Sequence, residues 1–511
     1  MFLGREPLAL ASDVETGEVL RVFGIVFKAQ IFFTKNFQQQ IYRNANFLLR
    51  RKGEESFPQR VAGQGRIDLF FCAQEPDLAL KIALLGFGTV GASVARILKE
   101  RASEGSAGVG LELTHIFNRN VDRKRVDWLP GVVWTEDPEQ IFAADVDLVI
   151  ELMGGLDPAG PWVRRALKAG KSVVTANKKL IAAHGAELEA LAHGHGVHLL
   201  YGAAVAGGIP VIPGLQYGLA GDRIERIEGI LNGTSNFILS RMEAGSQYAT
   251  ELVEAQRRGY AEADPTEDVD GFDARAKLTI LSRLALGVSV APESIPCQSI
   301  RPVAAIDFAY ARDLGCTIRP IARAELHGRE RKGQELRAVV GPMLVPLTSP
   351  LAWSRGTENM VLTSGRYGAD VVFSGHGAGG NPTAVAVVSD LLAIDAGAAR
   401  SATVEARVGV SGEFILSHYV RFIVKDKPGI VAEIAGAMAK EGMNIHAISQ
   451  RPGFAKDRLP FVVTTEPCRN SQLRQALSRM AASDWMAEPA LDMQILEPEA
   501  VAGSAAEQSE V

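Results

Sequence analysis

The sequence predicts an α/β protein in which a doubly wound parallel sheet is followed by an α+β region and a small C-terminal α/β sandwich. From residue 80 onward, apolar runs of strand length alternate with segments of helical periodicity, as in "LKIALLGFG", "VDLVIELMGG" and "SVVTANK". Between about 206 and 379, longer helices mix with strands. Over residues 419–497 the elements follow the order βαββαβ, which predicts a ferredoxin-like fold.

Length and composition favour a soluble protein of about three domains. The chain has 511 residues, a mass of 54.8 kDa and a formal net charge of -5. This charge and the lack of a long basic run argue against nucleic-acid binding. The four cysteines are widely spaced, there is no secretion signal, and no apolar run reaches the roughly 18 residues of a membrane span. We therefore expect a cytoplasmic protein with small-molecule partners.

The domain boundaries follow from these patterns. Residues 79–205 are expected to form the doubly wound domain, completed by about 380–410, and residues 206–379 to form a second, α+β domain. Residues 411–498 would form the C-terminal domain, and 499–511 a disordered tail. Residues 1–78 show no sustained period, which leaves a disordered extension or a start site assigned upstream of the true protein as alternatives.

The first strand-to-helix junction carries a dinucleotide-binding motif. The pattern G-x-G-x-x-G lies between "KIALL" and "ASVARILKE", where glycines permit a tight turn and a close approach of backbone to a pyrophosphate at the helix N-terminus. The predicted cofactor-binding residues are Gly86, Phe87, Gly88, Thr89, Val90 and Gly91. Arg119 follows the second strand, where an acidic residue would favour NAD, so NADP is preferred and NAD is the alternative.

Three charged residues are candidates for catalysis. Lys178 follows the last strand of the first domain, at the carboxyl edge where open sheets bind ligands. Asp273 and Lys277 are four residues apart on a predicted helix and so share one face. The preceding segment, "GYAEADPTEDVDG", is expected to be a loop, and its carboxylates could bind the ammonium group of a substrate.

From residue 80 to the C-terminus, the chain resembles homoserine dehydrogenases that carry a C-terminal ACT domain. The matching motifs are "GFGTVG", "ELMGG", "TANKKLIA", "AAVAGGIPVI", "LNGTSNFIL", "GYAEADPTEDVDGFDARAKL" and "GHGAGGNPTAVAVVSD". The resemblance implies NAD(P)-dependent interconversion of L-homoserine and L-aspartate 4-semialdehyde, a step of threonine and methionine biosynthesis.

The resemblance also implies roles for individual residues. Lys178 and Lys277 would be the catalytic lysines, Asp273 would assist proton transfer, and Lys178 would also lie at the cofactor. The implied substrate contacts are Glu262, Tyr260, Asp268, Asn232, Gly233 and Thr234, and the implied cofactor loop contains Gly377 and Ala378.

A monovalent cation is a further implication, but one ligand differs. The family has a glutamate where this chain has Gly202, so only the backbone carbonyls of Val205, Gly207 and Ile209 match the expected oxygens. The site therefore lacks its anionic ligand.

The C-terminal domain implies regulation and assembly. Its turn has free backbone amides that could bind a carboxylate. The resemblance to ACT domains implies threonine as the effector, held near Asp426, Gly429 and Asn444. Because such domains usually pair edge to edge, we expect a homodimer or homotetramer. A packing module without a ligand is the alternative.

Other functions remain open at this point. Aspartate-semialdehyde dehydrogenase requires a cysteine nucleophile, and neither Cys297 nor Cys316 lies in a convincing active-site turn. Another NADP-dependent semialdehyde reductase, or an amino-acid sensor that retains a relict nucleotide-binding fold, are the remaining alternatives.

Overall fold

A computed structural model of the chain describes residues 26–29, 69–72, 79–103, 110–328, 335–398 and 406–496. The chain divides into two units, residues 1–78 and 79–511. In the first, strands β1 (Val26–Ala29) and β2 (Leu69–Cys72) form an antiparallel pair. Most of the predicted extension and all of the predicted tail lie outside the described residues. The second unit confirms the predicted fold class.

A six-stranded parallel sheet forms the first part of the second unit. Its elements are β3 (Leu80–Leu85), α1 (Thr89–Ser103), β4 (Leu111–Phe117), α2 (Val121–Lys124), β5 (Val133–Thr135), α3 (Pro138–Ala143), β6 (Leu148–Glu151), α4 (Ala159–Lys168), β7 (Ser172–Thr175), α5 (Lys178–Gly194) and β8 (Leu199–Leu200). The strand order β5-β4-β3-β6-β7-β8 is the doubly wound one, so a ligand crevice opens between β3 and β6. The apolar runs seen in the sequence are the buried strands of this sheet.

A mixed α/β region follows. Its elements are α6 (Val211–Pro213), β9 (Ile224–Ile230), α7 (Gly233–Glu243), α8 (Tyr248–Arg257), α9 (Thr266–Val269), α10 (Phe272–Leu286), β10 (Val288–Ser289), α11 (Ala305–Asp313), β11 (Cys316–His327), β12 (Glu335–Pro346), β13 (Glu358–Gly365) and β14 (Ala369–His376). The long strands form a sheet in the order β14-β13-β9-β11-β12, on which α7 and α10 pack.

After β14 the chain returns to the doubly wound domain. Helix α12 (Gly380–Asp395) packs on α1, and its Val387 and Leu391 share a buried core with Leu84 and Val94. This return places the loop before α12 beside the glycine motif.

The C-terminal domain has the predicted βαββαβ order. Two short strands, β15 (Ala406–Arg407) and β16 (Gly409–Ser411), come first and pair with β10 and β12 of the preceding region. The elements of the domain itself are β17 (Ile415–Val424), α13 (Ile430–Lys440), β18 (Ile445–Gln450), β19 (Leu459–Thr465), α14 (Asn470–Met480) and β21 (Met486–Ile495), with the two-residue strand β20 (Cys468–Arg469) just before α14. Its strands lie in the order β21-β17-β19-β18.

This domain is less separate than the sequence suggested. Strand β21 pairs with β12 through Leu344 and Ile495, so one eleven-stranded sheet runs through both regions. Tyr419 and Leu491 also share a core with Phe237 of α7. A contact of this kind joins positions far apart in sequence, and local periodicity cannot predict it. Among the described residues, no helix combines the length and apolar character needed to cross a membrane.

Candidate active site

The glycine motif forms a tight turn between β3 and α1. Gly86 has φ of +101°, and a Cβ atom there would lie 3.0 Å from the carbonyl oxygen of Leu152. A Cβ atom on Gly91 would lie 2.4 Å from the carbonyl oxygen of Gly86, whereas Gly88 has open space around it. The turn therefore excludes side chains where backbone crowds backbone and leaves room for a ligand at the N-terminus of α1.

Glu151, which ends β6, fixes the neighbouring loop. One of its carboxylate oxygens accepts hydrogen bonds from the backbone N–H groups of Met153 at 2.8 Å and Gly154 at 3.0 Å. The other accepts from the Thr175 hydroxyl at 2.6 Å. Sequence reasoning gave this glutamate no role. Its position at the end of an apolar strand was the available signal, since a buried carboxylate needs partners.

The loop that contains Gly377 and Ala378 lies against the same region. A Cβ atom on Gly380 would lie 2.9 Å from Thr89 Cγ2, and the Ser93 hydroxyl donates to Asn381 Oδ1 at 2.8 Å. Space beside Gly377 is filled by the Asn359 side chain. The two glycine-containing segments predicted to bind the cofactor therefore lie together.

Arg119 is exposed just after β4. The neighbouring Asn118 accepts from the Asn120 backbone, and Asn120 in turn caps α2 by accepting from Arg123 N at 3.1 Å. These bonds fix the backbone on one side of Arg119, while its side chain extends into solvent.

Lys178, Asp273 and Lys277 come together in the structure. Asn177 caps α5 by accepting from Leu180 N at 3.1 Å, which makes Lys178 the first residue of that helix. The Lys178 ammonium pairs with Asp273 Oδ1, and Lys277 Nζ lies 2.8 Å from Asp273 Oδ2. One carboxylate of α10 therefore bridges two ammonium groups that are 99 positions apart in sequence (277 minus 178).

Further hydrogen bonds fix this arrangement. Lys277 Nζ donates to the carbonyl oxygen of Leu231 at 2.6 Å, and Asn359 Nδ2 donates to the same oxygen at 2.9 Å. Asn232 Nδ2 donates to Asp273 Oδ2 at 2.9 Å and to Asp268 Oδ1 at 2.7 Å. The roles of Leu231 and Asn359 were not predicted, because they depend on how β9 and β13 meet α10.

Burial and charge separate the pKa values of these groups. Burial would raise the pKa of Asp273, but Lys277 and Lys178 outweigh it and hold that pKa well below its usual range. Burial lowers the pKa of Lys277 despite the attraction of Asp273. For Lys178, burial is outweighed by Asp273, so its pKa is raised. Burial also raises the pKa of Asp268. The two lysines thus differ in proton affinity, as an acid and a base require.

The predicted substrate loop contains one turn of helix. It was expected to be a loop, but Thr266–Val269 is helical. Pro265 occupies the position just before the first helical residue, and Asp264 Oδ1 accepts from Thr266 N at 3.1 Å. Glu267 and Asp268 then lie in the first turn, where the helix dipole favours negative charge.

Most of the other predicted substrate contacts lie around this turn. Asn232 caps α7, accepting from Ser235 N at 2.8 Å, and Gly233 follows it where a Cβ atom would lie 2.8 Å from the Thr357 carbonyl. The Thr234 hydroxyl donates to the Tyr260 carbonyl at 2.7 Å. The Tyr260 ring is 42 % exposed and packs edge-on against Phe237.

Glu262 stands apart from the buried network. It is exposed, and its backbone carbonyl accepts from Gln256 Nε2 at 3.1 Å. The structure therefore places Asp268, but not the Glu262 carboxylate, in the hydrogen-bond network of Asp273.

The segment expected to hold a cation is packed against α12. Asp390 Oδ2 accepts from Gly202 N at 2.7 Å, and a Cβ atom on Gly202 would lie 2.8 Å from Asp390 Oδ1. The carboxylate nearest position 202 thus comes from α12, and burial raises its pKa to about 7. Val205 is buried, the Ile209 carbonyl already accepts from Val211 N at 2.8 Å, and Gly207 packs on the Gly377 carbonyl.

No group of three or more His, Cys, Asp or Glu in the described part of the chain is arranged to hold a metal ion.

The predicted effector residues lie in the turn between β17 and α13 and immediately before β18. Gly429 has φ of +97° immediately before α13. The exposed Asp426 carboxylate lies 3.6 Å from Lys456 Nζ, and Asn444 Nδ2 donates to Glu466 Oε2 at 2.9 Å. Asp426 and Asn444 therefore bond to different neighbours.

Comparisons with known proteins agree with this geometry. The chain matches three family models: the homoserine dehydrogenase NAD-binding domain over residues 86–202, homoserine dehydrogenase over 210–392, and the ACT domain over 418–483. It is 38 % identical over 427 residues to a homoserine dehydrogenase from Synechocystis, covering 80 % of this chain and 98 % of that one. A homoserine dehydrogenase from Corynebacterium glutamicum is 37 % identical over 417 residues, covering 80 % of this chain and 93 % of that one.

Solved structures are similar over the same region. A homoserine dehydrogenase from Thiobacillus denitrificans matches with a TM-score of 0.74 and 34 % identity, covering 82 % of this chain and 98 % of that one. A hyperthermophilic archaeal homoserine dehydrogenase in complex with NADPH matches with a TM-score of 0.54 and 27 % identity, covering 63 % of this chain and 99 % of that one. The ferredoxin-like domain expected at the C-terminus is an ACT domain. The chain belongs to the homoserine dehydrogenase family.

Proposed function

We propose that this chain interconverts L-homoserine and L-aspartate 4-semialdehyde and prefers NADP to NAD. The observation that carries the proposal is the Asp273 carboxylate bridging Lys178 and Lys277. Lys178 starts the helix after β7, at the carboxyl edge of the sheet whose strand β3 leads into the glycine turn. The family of the chain supports the same activity.

The glycine turn fits a dinucleotide. Gly88 has open space around it, and the first N–H groups of α1 are available to an anion. A bound nicotinamide would accept or supply the hydride. Arg119 would pair with a 2′-phosphate at the end of β4, which is the basis for preferring NADP.

The two lysines would have different roles at the substrate oxygen. Because Asp273 raises its pKa, Lys178 stays an ammonium and stabilises negative charge on that oxygen. Lys277, whose pKa is lowered by burial, would exchange the proton and act as the base in homoserine oxidation. Asp273 holds both groups and would assist this transfer.

The substrate amino group would bind at the α8–α9 loop. Asp268 offers a partly buried carboxylate already fixed by Asn232, and Glu262 and Tyr260 are exposed nearby in sequence. We assign to Glu262 the contact with the ammonium group and to Tyr260 and Asp268 the lining of the pocket. This assignment requires the Glu262 side chain to turn inward when substrate binds.

One assay distinguishes the proposal from its rivals. Purified protein is tested for NADPH oxidation with aspartate semialdehyde, for NADP reduction with homoserine, and for a phosphate-dependent reaction. We expect the first two and not the third. A phosphate-dependent reaction alone would indicate the cysteine-dependent enzyme, and a lack of all three would favour the sensor.

The two cysteines considered as nucleophiles, Cys297 and Cys316, support the first outcome. Burial raises the pKa of Cys297 and raises that of Cys316 to about 11. A nucleophilic thiol needs the opposite shift.

The oxygens around Gly202 argue against a required cation. Gly202 supplies no carboxylate, and Asp390 is already bonded to its N–H. We expect the same rate in sodium, potassium and salt-free buffers. A rate that depends on the cation would restore the site at the carbonyls of Val205, Gly207 and Ile209.

The ACT domain supports regulation by an amino acid, for which we propose threonine. We also propose a homodimer or homotetramer. Strand β18 is one edge of the eleven-stranded sheet, and most of its side chains are exposed, so it is open to pairing with a second copy. Light scattering of the purified chain tests this: a monomer would contradict it.

A further inference from the structure

Helices α5 and α10 carry the two lysines, and a buried cluster of three other side chains joins them. Arg283 Nη2 of α10 donates to the Tyr201 hydroxyl at 3.1 Å and lies 3.3 Å from Glu189 Oε1 of α5. The Tyr201 hydroxyl donates to the same glutamate oxygen. All three residues are at most 5 % exposed. The cluster therefore connects the doubly wound domain to the helix that carries Asp273.

The guanidinium lies directly on the backbone of α5. Arg283 Nη1 donates to the Ile181 carbonyl at 3.1 Å, and a Cβ atom on Gly185 would lie only 1.9 Å from the same nitrogen. Ile181, Gly185 and Glu189 recur every four residues and so form one stripe of the helix. The Arg283 guanidinium can occupy this position only because residue 185 is glycine and has no side chain.

This cluster joins the two helices at a high cost in desolvation free energy. Burying an arginine and a glutamate carries a desolvation cost that apolar residues of similar volume would avoid, so such pairs are poor evidence for stability. The arginine adds a fixed orientation of the two helices, because its planar guanidinium bonds a carbonyl, a carboxylate and a hydroxyl at fixed angles. A second arginine, Arg164 of α4, also bonds to α5, but it does so in a more exposed position, through Glu187.

We propose that Arg283, through Glu189 and Tyr201, is a positioning residue that sets the register between α5 and α10 and so holds Lys178 and Lys277 on the Asp273 carboxylate. The inference rests on the proposed function. Lys178 lies three residues before Ile181, and Lys277 lies six residues before Arg283. A slip between the helices therefore changes the distance from Lys178 to Asp273.

The first test compares turnover in R283M, R283K and the double variant R283L/E189L with R164M as the matched control. Loss of alignment by about 1 Å can lower a rate by about a hundredfold, so we expect kcat in R283M to fall between about tenfold and a hundredfold. Binding of NADPH, measured by fluorescence, should not change.

R283K should recover part of kcat, and R164M should keep the parent rate. The double variant leaves no buried charge unpaired, and we expect it to recover thermal stability but not kcat.

The second test does not depend on substrate. Acylation of Lys178 by an amine-reactive ester at pH 8, followed by mass spectrometry, is compared with acylation of its exposed neighbour Lys179. Because Asp273 pairs with Lys178, we expect slow labelling in the parent and a severalfold higher ratio of Lys178 to Lys179 labelling in R283M. R164M should keep the parent ratio.

A third comparison uses Gly185, on which the Arg283 guanidinium packs. G185A should lower kcat by displacing the guanidinium, and G185A/R283M should lose no more than R283M alone, since both changes act on one contact.

The outcomes separate the two claims. A parent without homoserine-dependent NADP reduction would overturn the proposed function, and the labelling ratio would still decide the positioning role. A folded R283M and a folded R283L/E189L with the parent kcat and the parent labelling ratio would overturn the positioning role alone.

Discussion

The candidate active-site cleft around Lys178, Asp273 and Lys277 and the ACT domain both contain charged candidate residues, but the burial of those charges differs between the two regions. In the cleft, the Asp273 side chain is 4 % exposed and is bonded to two lysines and an asparagine. In the ACT domain, the Asp426 side chain is 43 % exposed and has Lys456 3.6 Å away. The cleft charges are paired inside the protein, whereas the carboxylate of the turn is largely exposed.

This difference indicates which site the fold has already organised. A buried charge must find partners during folding, whether or not a ligand is present, so the cleft geometry is set in advance. An exposed turn carries no such requirement, and an effector would have to compete with solvent and with existing neighbours. Substitutions should therefore have large effects in the cleft and small ones in the turn.

The sharpest form of this comparison is Lys277→Ala. We expect turnover to fall by about a hundredfold or more, because the group proposed to exchange the substrate proton is removed. The Asp273 carboxylate keeps Lys178, and the Leu231 carbonyl keeps Asn359, so the fold should survive. Steady-state rates are measured together with NADPH binding by fluorescence, which should be unchanged.

The matched control is Lys179→Ala. Lys179 is next to Lys178 but is 47 % exposed and pairs with Glu267 at 3.0 Å, a bond of the surface kind. We expect its rate to stay within twofold of the parent. Near-normal turnover in Lys277→Ala would remove the base assignment.

The comparison can also be tested from the ACT side, because that domain contains a buried histidine. His418 of β17 is 1 % exposed, and burial lowers its pKa to about 4, opposed by Asn470. The folded state therefore favours the neutral ring. Its contribution to stability is complete above about pH 6.5 and is lost as the pH falls toward 4, by about 3 kcal/mol in total.

Denaturant unfolding at pH 7.5 and pH 4.5 measures this loss. His418→Gln should reduce the difference between the two pH values, whereas His446→Gln, at an exposed position of the same domain, should not. In the cleft, Asp273 should stay ionised throughout, since its pKa lies below its usual range. An equal pH dependence in the parent and His418→Gln would show that this ring is not the cause.

The same division explains how far the sequence could predict the structure. The glycine turn, the alternation of strands and helices and the βαββαβ order of the ACT domain depend on local period and spacing. Asp273 and Lys277 were found because four residues separate them on one helix. Their link to Lys178 followed only from the family resemblance, since no local pattern joins α5 to α10.

What the sequence missed depends on contacts between distant segments. The Leu231 carbonyl and Asn359 contact Lys277 only because β9, β13 and α10 meet. The short helix Thr266–Val269 follows the turn at Asp264 and Pro265, in a segment that its turn residues predict to be a loop. Asp390 reaches Gly202 from 188 residues away. Such contacts carry no periodic signal in the chain.

Arg119 is intermediate between the buried cleft and the exposed ACT turn, because its side chain is exposed but its backbone follows directly after strand β4. We expect Arg119→Ala to weaken NADPH binding by about tenfold, which corresponds to one charged contact of about 1.4 kcal/mol, and to leave NADH binding unchanged. Fluorescence titration with both cofactors measures the ratio. Lys99→Ala, near the C-terminal end of α1, is the control and should change neither affinity. Equal NADPH and NADH affinities that persist in Arg119→Ala would remove the basis for preferring NADP.

The smallest effect is expected at the ACT turn. If threonine binds beside Gly429, Asp426→Ala should raise the threonine concentration that halves homoserine oxidation by only two- to fivefold, since an exposed ion pair contributes about 0.2 to 1 kcal/mol. Asp484→Ala is the control, because Asp484 is an exposed carboxylate of the same domain that pairs with Lys427 at 2.5 Å. Its inhibition should match the parent. A loss of inhibition by a hundredfold in Asp426→Ala would mean that the turn is buried when the effector binds, and the contrast between an organised cleft and a solvated turn would then hold only for the unliganded chain.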